Sequence, residues 1–228
     1  MLRWMENALK HNGIFVRERK SNRVMALGIA LYHMRLSLRD TSMILAYFGG
    51  ASHEAVRNWY ARYKDIFSVK SKKRRAIAID ETKIKIQGKW VYIWAAIDVD
   101  TWEVITTWIT QGRSCFEALQ FIRKVMSLCE NKPIVYVDKA HWYKWALDRL
   151  GIPWEHRTFG PRNPIEQWFG ILKHRIKRFY KRWPHNADIE HVNDWVKSFT
   201  CCYHIRKTGG ALCRHPQISI LKYLYYHK

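Results

Sequence analysis

Three acidic residues in this chain occupy positions suited to metal-assisted phosphoryl transfer. Asp80 closes the apolar run Ala76-Ile77-Ala78-Ile79, and Asp138 closes Ile134-Val135-Tyr136-Val137. Glu166 follows Asn163-Pro164-Ile165, with Lys173 further along the same segment. Short apolar runs of this kind read as buried strands, so each delivers a carboxylate to a sheet edge. Carboxylate oxygens are the ligands that hard divalent cations prefer, and a nearby lysine supplies a point charge for a phosphate. A single strand-end Asp is more often a turn residue or a cap. The combination, rather than any one member, points to a two-ion site. Glu81, Asp98 and Asp100 are set aside: Glu81 alternates to the face of its strand opposite Asp80, and the other two fall in a hairpin turn, where Asp is expected.

The elements that must position these groups follow from periodicity. Residues 76–87, 89–98 and 103–110 read as three extended runs joined by short polar turns, Gln87-Gly88 and Asp98 to Trp102, and so as an antiparallel meander. The second run is apolar on both faces, with Trp90, Tyr92 and Trp94 on one side and Val91, Ile93 and Ala95 on the other, which predicts cover on both. A helix follows over 114–129, a strand over 134–138, a helix over 141–150, a short strand over 154–159 and then a long helix. That order outlines an RNase-H-like domain of the α/β class, a five-stranded mixed sheet with flanking helices. In such a sheet the first and fourth strands are parallel neighbours, which brings Asp80 and Asp138 together.

The long helix has Asn163 as its expected cap, Pro164 in its first turn and Glu166 at its third position. A Glu three residues after an Asn cap also fits a capping box. At helical spacing Ile165, Trp168, Phe169, Leu172, Ile176 and Phe179 form one arc, and Glu166, Gly170, Lys173 and Lys177 line the face beside it. On that second face Glu166 can hold a metal, Gly170 leaves room for a sugar-phosphate backbone, and Lys173 can meet a phosphate. Arg175, Arg178, Lys181 and Arg182 add positive charge at the helix end.

Ahead of the sheet, residues 22–67 read as three helices. The first spans about Arg23 to Met34. The second opens at Ser37 with Asp40 three residues on and stops at Gly49-Gly50. The third is capped by Ser52, buries Val56, Trp59, Tyr60 and Tyr63, and exposes Glu54, Arg57, Asn58 and Arg62. Helix, glycine turn, and a helix presenting Arg and Asn is the outline of a small all-α helix-turn-helix domain that reads purine edges, although a plain three-helix bundle gives the same local pattern. The run Lys70, Lys72, Lys73, Arg74 and Arg75 forms a basic linker suited to lie along phosphates. The expected organisation is an N-terminal segment (1–21), the helix-turn-helix domain (22–67), the linker (68–75), the RNase-H-like domain (76–183) and a C-terminal helical tail (184–228).

Composition agrees with a nucleic-acid partner. The 228 residues suit one moderate domain plus a small one, and 48% hydrophobic residues suffice for a core. The excess of 40 Lys and Arg over 19 Asp and Glu gives a net charge of +21, beyond what solubility requires. A generally basic ribosomal or nucleoid protein seldom carries 12 Trp. No stretch approaches the roughly 18 apolar residues of a membrane span, and Met1 to Lys10 carries charges where a signal peptide needs an apolar core. The expectation is a cytoplasmic, nucleoid-associated protein of prokaryotic type with no membrane partner. Cys115, Cys129, Cys201, Cys202 and Cys213 lack a disulfide framework and read as free thiols. Cys201, Cys202, His204, Cys213 and His215 also lack the paired spacing of zinc ribbons.

These motifs together resemble the DDE-type insertion-sequence transposases, and most closely the insertion-sequence-six group. The likeness is carried by Asp80-Glu81-Thr82-Lys83-Ile84-Lys85-Ile86 with Gly88-Lys89-Trp90, by Val137-Asp138-Lys139-Ala140 with Tyr143 and Ala146-Leu147, and by Asn163-Pro164-Ile165-Glu166-Gln167 with Lys173. It extends to Leu36-Ser37-Leu38-Arg39-Asp40 and to Tyr203 through Pro216, with Arg206 and Gly209-Gly210. The gap between Asp138 and Glu166 is shorter than is usual in that family, and Tyr203-His204 stands where many relatives have Asn-rich residues. The resemblance implies an enzyme that binds the terminal inverted repeats of an element, cleaves to expose 3′-OH ends and joins them to target DNA. It implies two Mg²⁺ ions, with Mn²⁺ able to substitute, held by Asp80, Asp138 and Glu166 about 3.5–4 Å apart. Asp80 is expected to bridge the ions and Lys173 to orient the phosphate. Lys177, Arg57, Asn58, Arg62, Lys72, Lys73, Arg74 and Arg75 are the other expected DNA contacts. Pairing two element ends implies a homodimer or higher homo-oligomer. Two other classes fit the residues: a non-catalytic DNA-binding regulator or degenerate copy, and an RNase-H-like nuclease that cuts without joining.

Overall fold

The structure is a computed structural model and describes residues 1–13, 15, 18–66, 69–179 and 187–208. Phe67, Lys181, Arg182, Gly209-Gly210, Cys213, His215 and Pro216, and with them most of the C-terminal tail, lie outside the described residues. The chain divides into two compact units, residues 1–68 with 197–228 and residues 69–196.

The first unit is helical. Its elements are α1 (Leu2–Asn12), α2 (Asn22–His33), α3 (Leu38–Leu45), a 3-10 turn (Ala46–Phe48), α4 (His53–Arg62) and a second 3-10 turn (Tyr63–Ile66). Serine hydroxyls start three of the helices by accepting a backbone N–H: Ser21 from Val24 at 3.4 Å, Ser37 from Asp40 at 3.0 Å and Ser52 from Ala55 at 3.1 Å. Gly49 (φ 99°) and Gly50 (φ 68°) both take the left-handed backbone that turns the chain from α3 towards α4. Gly28 serves packing instead, because a Cβ there would lie 3.1 Å from Leu45 Cδ1. The buried side chains include Met25, Ile29, Trp59, Tyr60 and Tyr63, with the Tyr32 and Tyr60 rings edge to face at 4.8 Å.

Helix α1 lies in the stretch expected to be a plain N-terminal segment. It packs on α2 and buries Met5, Ala8 and Leu9.

The second unit carries the sheet. Strands β1 (Ala76–Ile86), β2 (Lys89–Asp98), β3 (Val104–Thr110), β4 (Ile134–Val137) and β5 (Trp154–His156) take the order β3-β2-β1-β4-β5. The β1/β2 and β2/β3 pairs are antiparallel, and the β1/β4 and β4/β5 pairs are parallel. This is the RNase-H-like arrangement. Between and after the strands come α5 (Cys115–Met126), α6 (His141–Leu150), α7 (Asn163–Ile176) and α8 (Ile189–Thr208), whose later turns belong to the first unit. A Ser114/Glu117 capping box starts α5.

One sheet face buries Ile77, Ile79, Trp94 and Val137 with Phe121 of α5 and Tyr143 and Leu147 of α6. Helix α7 packs on β1 and β2 and buries Ile165, Trp168, Phe169 and Leu172, each worth about 1.5–3 kcal/mol as buried apolar surface. The double cover expected for β2 holds only in part. Ile93 to Asp98 are buried, but Tyr92 is half-buried and Trp90 is 48% exposed at the start of the strand. Cys115, Cys129, Cys201 and Cys202 carry free thiols.

Candidate active site

The parallel register decides where the first two carboxylates meet. Ala76 pairs with Ile134, Ile77 with Val135 and Ala78 with Tyr136. Carried two residues further, the same offset sets Asp80 opposite Asp138, just past the end of β4. Because side chains alternate along strands, both lie on the face away from Val135 and Val137. Asp80 Oδ1 accepts the Glu81 N–H at 2.9 Å, and Asp138 Oδ1 accepts the Ala140 N–H at 2.9 Å, so each side chain is braced by the chain that follows it.

Burial pushes the Asp80 carboxyl up to about 6, and the negative charges of Glu81 and Asp138 push in the same direction. The opposing pull comes from Arg162, whose Nη2 donates to Asp80 Oδ2 at 2.9 Å. Both side chains are largely buried, at 8% exposure for Arg162 and 18% for Asp80. Arg162 also donates through Nη1 to the Arg157 carbonyl at 3.3 Å. The guanidinium is the cation that Asp80 holds in the structure.

Arg162 also changes the reading of α7. Arg162, not Asn163, stands at the cap position, and no side chain caps the helix; the Asn163 side chain instead accepts the Gly160 N–H at 3.1 Å. Glu166 is therefore the fourth helical residue rather than the third, and its carboxylate is not engaged in a capping box. It is exposed, one turn beyond Arg162 on the same side of the helix. Among the described residues no three His, Cys, Asp or Glu side chains converge closely enough to hold one ion. The structure thus brings Asp80 and Asp138 together and leaves Glu166 one helical turn from the arginine that binds Asp80.

Glu81 faces away from Asp80, as strand alternation requires, yet it is not idle. Its side chain is 4% exposed, accepts from the Tyr143 hydroxyl and pairs with Arg113 at 3.2 Å. Burial raises its carboxyl above the usual range, opposed by the Tyr143 hydrogen bond. Burial likewise holds the proton on Tyr143, reinforced by Glu81, Asp80 and Asp138. Tyr143 stands in the block that carries the family likeness, whereas Arg162 and Arg113 carry no motif of their own, so only three-dimensional proximity identifies them. Asp98 is the turn residue it was expected to be, accepting the Asp100 and Thr101 N–H groups at 3.0 Å each.

The expected DNA contacts separate by exposure. Lys173, Lys177, Lys73, Arg57 and Asn58 are exposed, although Arg57 pairs with Glu54 at 2.6 Å. Arg75 is exposed and pairs with Asp100. Lys72 pairs with the buried Glu103 at 2.9 Å. Arg62 is half-buried, paired with Glu18 at 3.2 Å and seated over the Phe15 ring, which moves it off the solvated face assigned to it. Arg74 does not belong to the set. Its fully buried side chain pairs with Asp98 at 2.8 Å and Glu103 at 2.7 Å, because the linker packs against the end of the sheet instead of standing in solvent. Arg175, expected to add surface charge, is also buried, with its guanidinium 4.8 Å from the Phe179 ring centre. No helix among the described residues is long and apolar enough to cross a membrane.

Comparison with known proteins supplies the family. The model of a DDE domain typical of IS240 transposases matches residues 74–207, which include Asp80, Asp138 and Glu166. The chain belongs to the DDE insertion-sequence transposase family. Within the family's reach, it is 41% identical over 84% of its length to an uncharacterised protein of Methanocaldococcus jannaschii, 90% of which is covered. It is 33% identical over 52% of its length to the Staphylococcus aureus transposase for insertion sequence-like element IS431mec, and the match spans 56% of that transposase. Among solved structures, a chain of the simian T-cell lymphotropic virus intasome bound to the PP2A regulatory subunit B56 gamma is similar at a TM-score of 0.48 and 15% identity, over 84% of this chain and 76% of that one.

Proposed function

We propose that this DDE transposase binds the terminal inverted repeats of its element, cleaves there to expose 3′-OH ends and joins those ends to target DNA. The observation that carries the reading is that the adjacent parallel strands β1 and β4 bring Asp80 within the influence of the Asp138 charge, inside the stretch that matches the DDE domain. The donor set fits Mg²⁺ or Mn²⁺. It consists of hard carboxylate oxygens, packed so that the Asp138 charge adds to the proton affinity of Asp80 and an arginine is drawn in beside Asp80. Asp80 and Asp138 would hold the ions, with Glu166, exposed one turn from Arg162, as the third ligand. When bound, the ions supply Lewis acidity to the scissile phosphate and lower the pKa of the attacking water or 3′-hydroxyl.

The chain's own groups do the positioning. Lys173 lies on the same α7 face as Glu166 and offers a charge to the phosphate backbone. Gly170 lies between them, and a Cβ there would meet nothing within 4 Å, so the face is open to a close strand. The unit containing α3 and α4 reads the element end as a helix-turn-helix, with Arg57 and Asn58 on the exposed side of α4. Two element ends held at once call for at least a homodimer.

A strand-transfer assay tests this, using oligonucleotides copied from the DNA flanking the gene, a supercoiled target plasmid and Mg²⁺ or Mn²⁺. Joined products are expected with wild type and metal only, and with neither Asp80→Asn nor Glu166→Gln. Cleavage without joining would favour the nuclease reading. Binding without either reaction in the wild type would identify a regulator or a degenerate copy.

A further inference from the structure

The β1/β2 hairpin carries a basic and aromatic strip that none of the roles above uses. Trp90 stands at the start of β2, 48% exposed, opposite Lys85 in the antiparallel register. The ammonium groups of Lys83 and Lys85 each lie 4.9 Å from its ring centre. Tyr92, next on the same face of β2, is half-buried, and the Arg113 guanidinium lies 5.2 Å from its ring centre. The same guanidinium is 4.3 Å from the Trp142 ring and pairs with Glu81 at 3.2 Å. The strip thus runs from the hairpin through Arg113 to Glu81, which also accepts from the Tyr143 hydroxyl, on the sheet face opposite Asp80.

The composition of the strip selects its ligand. A track for duplex DNA needs cations for phosphates but has no use for aromatic faces, since paired bases are stacked on one another. Single-stranded nucleic acid presents both a phosphate chain and free base faces, and the proteins that bind it alternate cations with aromatic rings. An ammonium over an exposed ring is held only weakly, so Lys83 and Lys85 can move to phosphates and leave the Trp90 face to a base.

Resting on the reading of the chain as a DNA-cleaving and DNA-joining enzyme, we propose that Trp90, with Lys83, Lys85, Tyr92 and Arg113, binds unpaired nucleotides next to the reacting end. The duplex is opened there, and a displaced base stacks on Trp90 while its strand follows Lys83, Lys85 and Arg113 along the Glu81 face of the sheet.

Fluorescence anisotropy tests the proposal with the full chain and two DNAs of the same element-end sequence, one fully paired and one with a short unpaired tail. Wild type is expected to bind the tailed DNA roughly tenfold more tightly, the scale of one base stacked on an aromatic ring. Trp90→Ala should bring the tailed DNA to the affinity of the paired one without changing the latter, and Trp90→Phe should retain most of the preference. The double substitution Lys83→Gln with Lys85→Gln should flatten the salt dependence for tailed DNA only, which keeps the proposal testable if Trp90→Ala folds poorly. Equal affinity of wild type for both DNAs, or equal losses on both in Trp90→Ala, overturns the strip and leaves the transposase reading intact. Failure of wild type to bind either DNA overturns both.

Discussion

Asp80 ionises against its surroundings, with burial and neighbouring carboxylates raising it from an ordinary 3.8 to about 6 despite Arg162. A folded value above the unfolded one means that the folded state binds the proton more tightly. The stability this gives is full below the unfolded value and is lost as pH rises through about 6. At 1.36 kcal/mol for each pH unit, the loss is about 3 kcal/mol. Asp80→Asn is neutral throughout, so its stability relative to wild type should improve by roughly that amount between about pH 4 and about pH 8. Urea unfolding in the presence of a chelator measures it, and a pH-independent difference would show that Arg162 fully offsets the burial. Asp80 and Asp138 were legible because each ends an apolar strand, and alternation fixes the face of each. Arg162 was not, because its partner is 82 residues away and no local pattern links them.

At the scale of elements, the linker shows how a charged run can be misread. Lys72, Lys73, Arg74 and Arg75 look alike in sequence, yet Arg74 alone is sealed between Asp98 and Glu103, and Asn131 bonds both its backbone N–H and its carbonyl at 2.8 Å. Removing the guanidinium takes the buried cation from Asp98 and leaves Glu103 with Lys72 alone. Arg74→Ala should cost about 3 kcal/mol or more in chemical denaturation, whereas Lys73→Ala should stay within about 0.5 kcal/mol. The sheet order, the serine caps of α3 and α4 and the two faces of α7 could be read from periodicity and turn residues. Helix α1 has no capping residue or turn signal ahead of it, and only the spacing of Met5, Ala8 and Leu9 on one buried face marks it. The start of α7 was misplaced by one residue because Asn163 is a good capping residue that here bonds back to Gly160 instead.

For the whole molecule, a net charge of +21 makes salt the first variable of any binding measurement. Lys73, Lys173 and Lys177 are exposed, so each Lys→Gln change should lower the slope of log affinity against log salt by about one, uniformly across DNA sequences. Anisotropy titrations over a range of KCl give the slope, and an unchanged slope removes that residue from the DNA contact. The charge excess was visible in composition alone. The division of the chain was not, since residues 197–208 join the unit formed by residues 1–68 through contacts such as His33 with Phe199, whose rings are 5.5 Å apart.

The parallel register of β1 and β4 has a consequence for inheritance. Losing one codon within residues 134–137 would turn Asp138 to the opposite sheet face, while losing one in the connection before β4 leaves its facing unchanged. An apolar strand that pairs in a shifted register can still bury itself. Copies of this gene that accumulate small deletions will therefore lose their chemistry before they lose their fold.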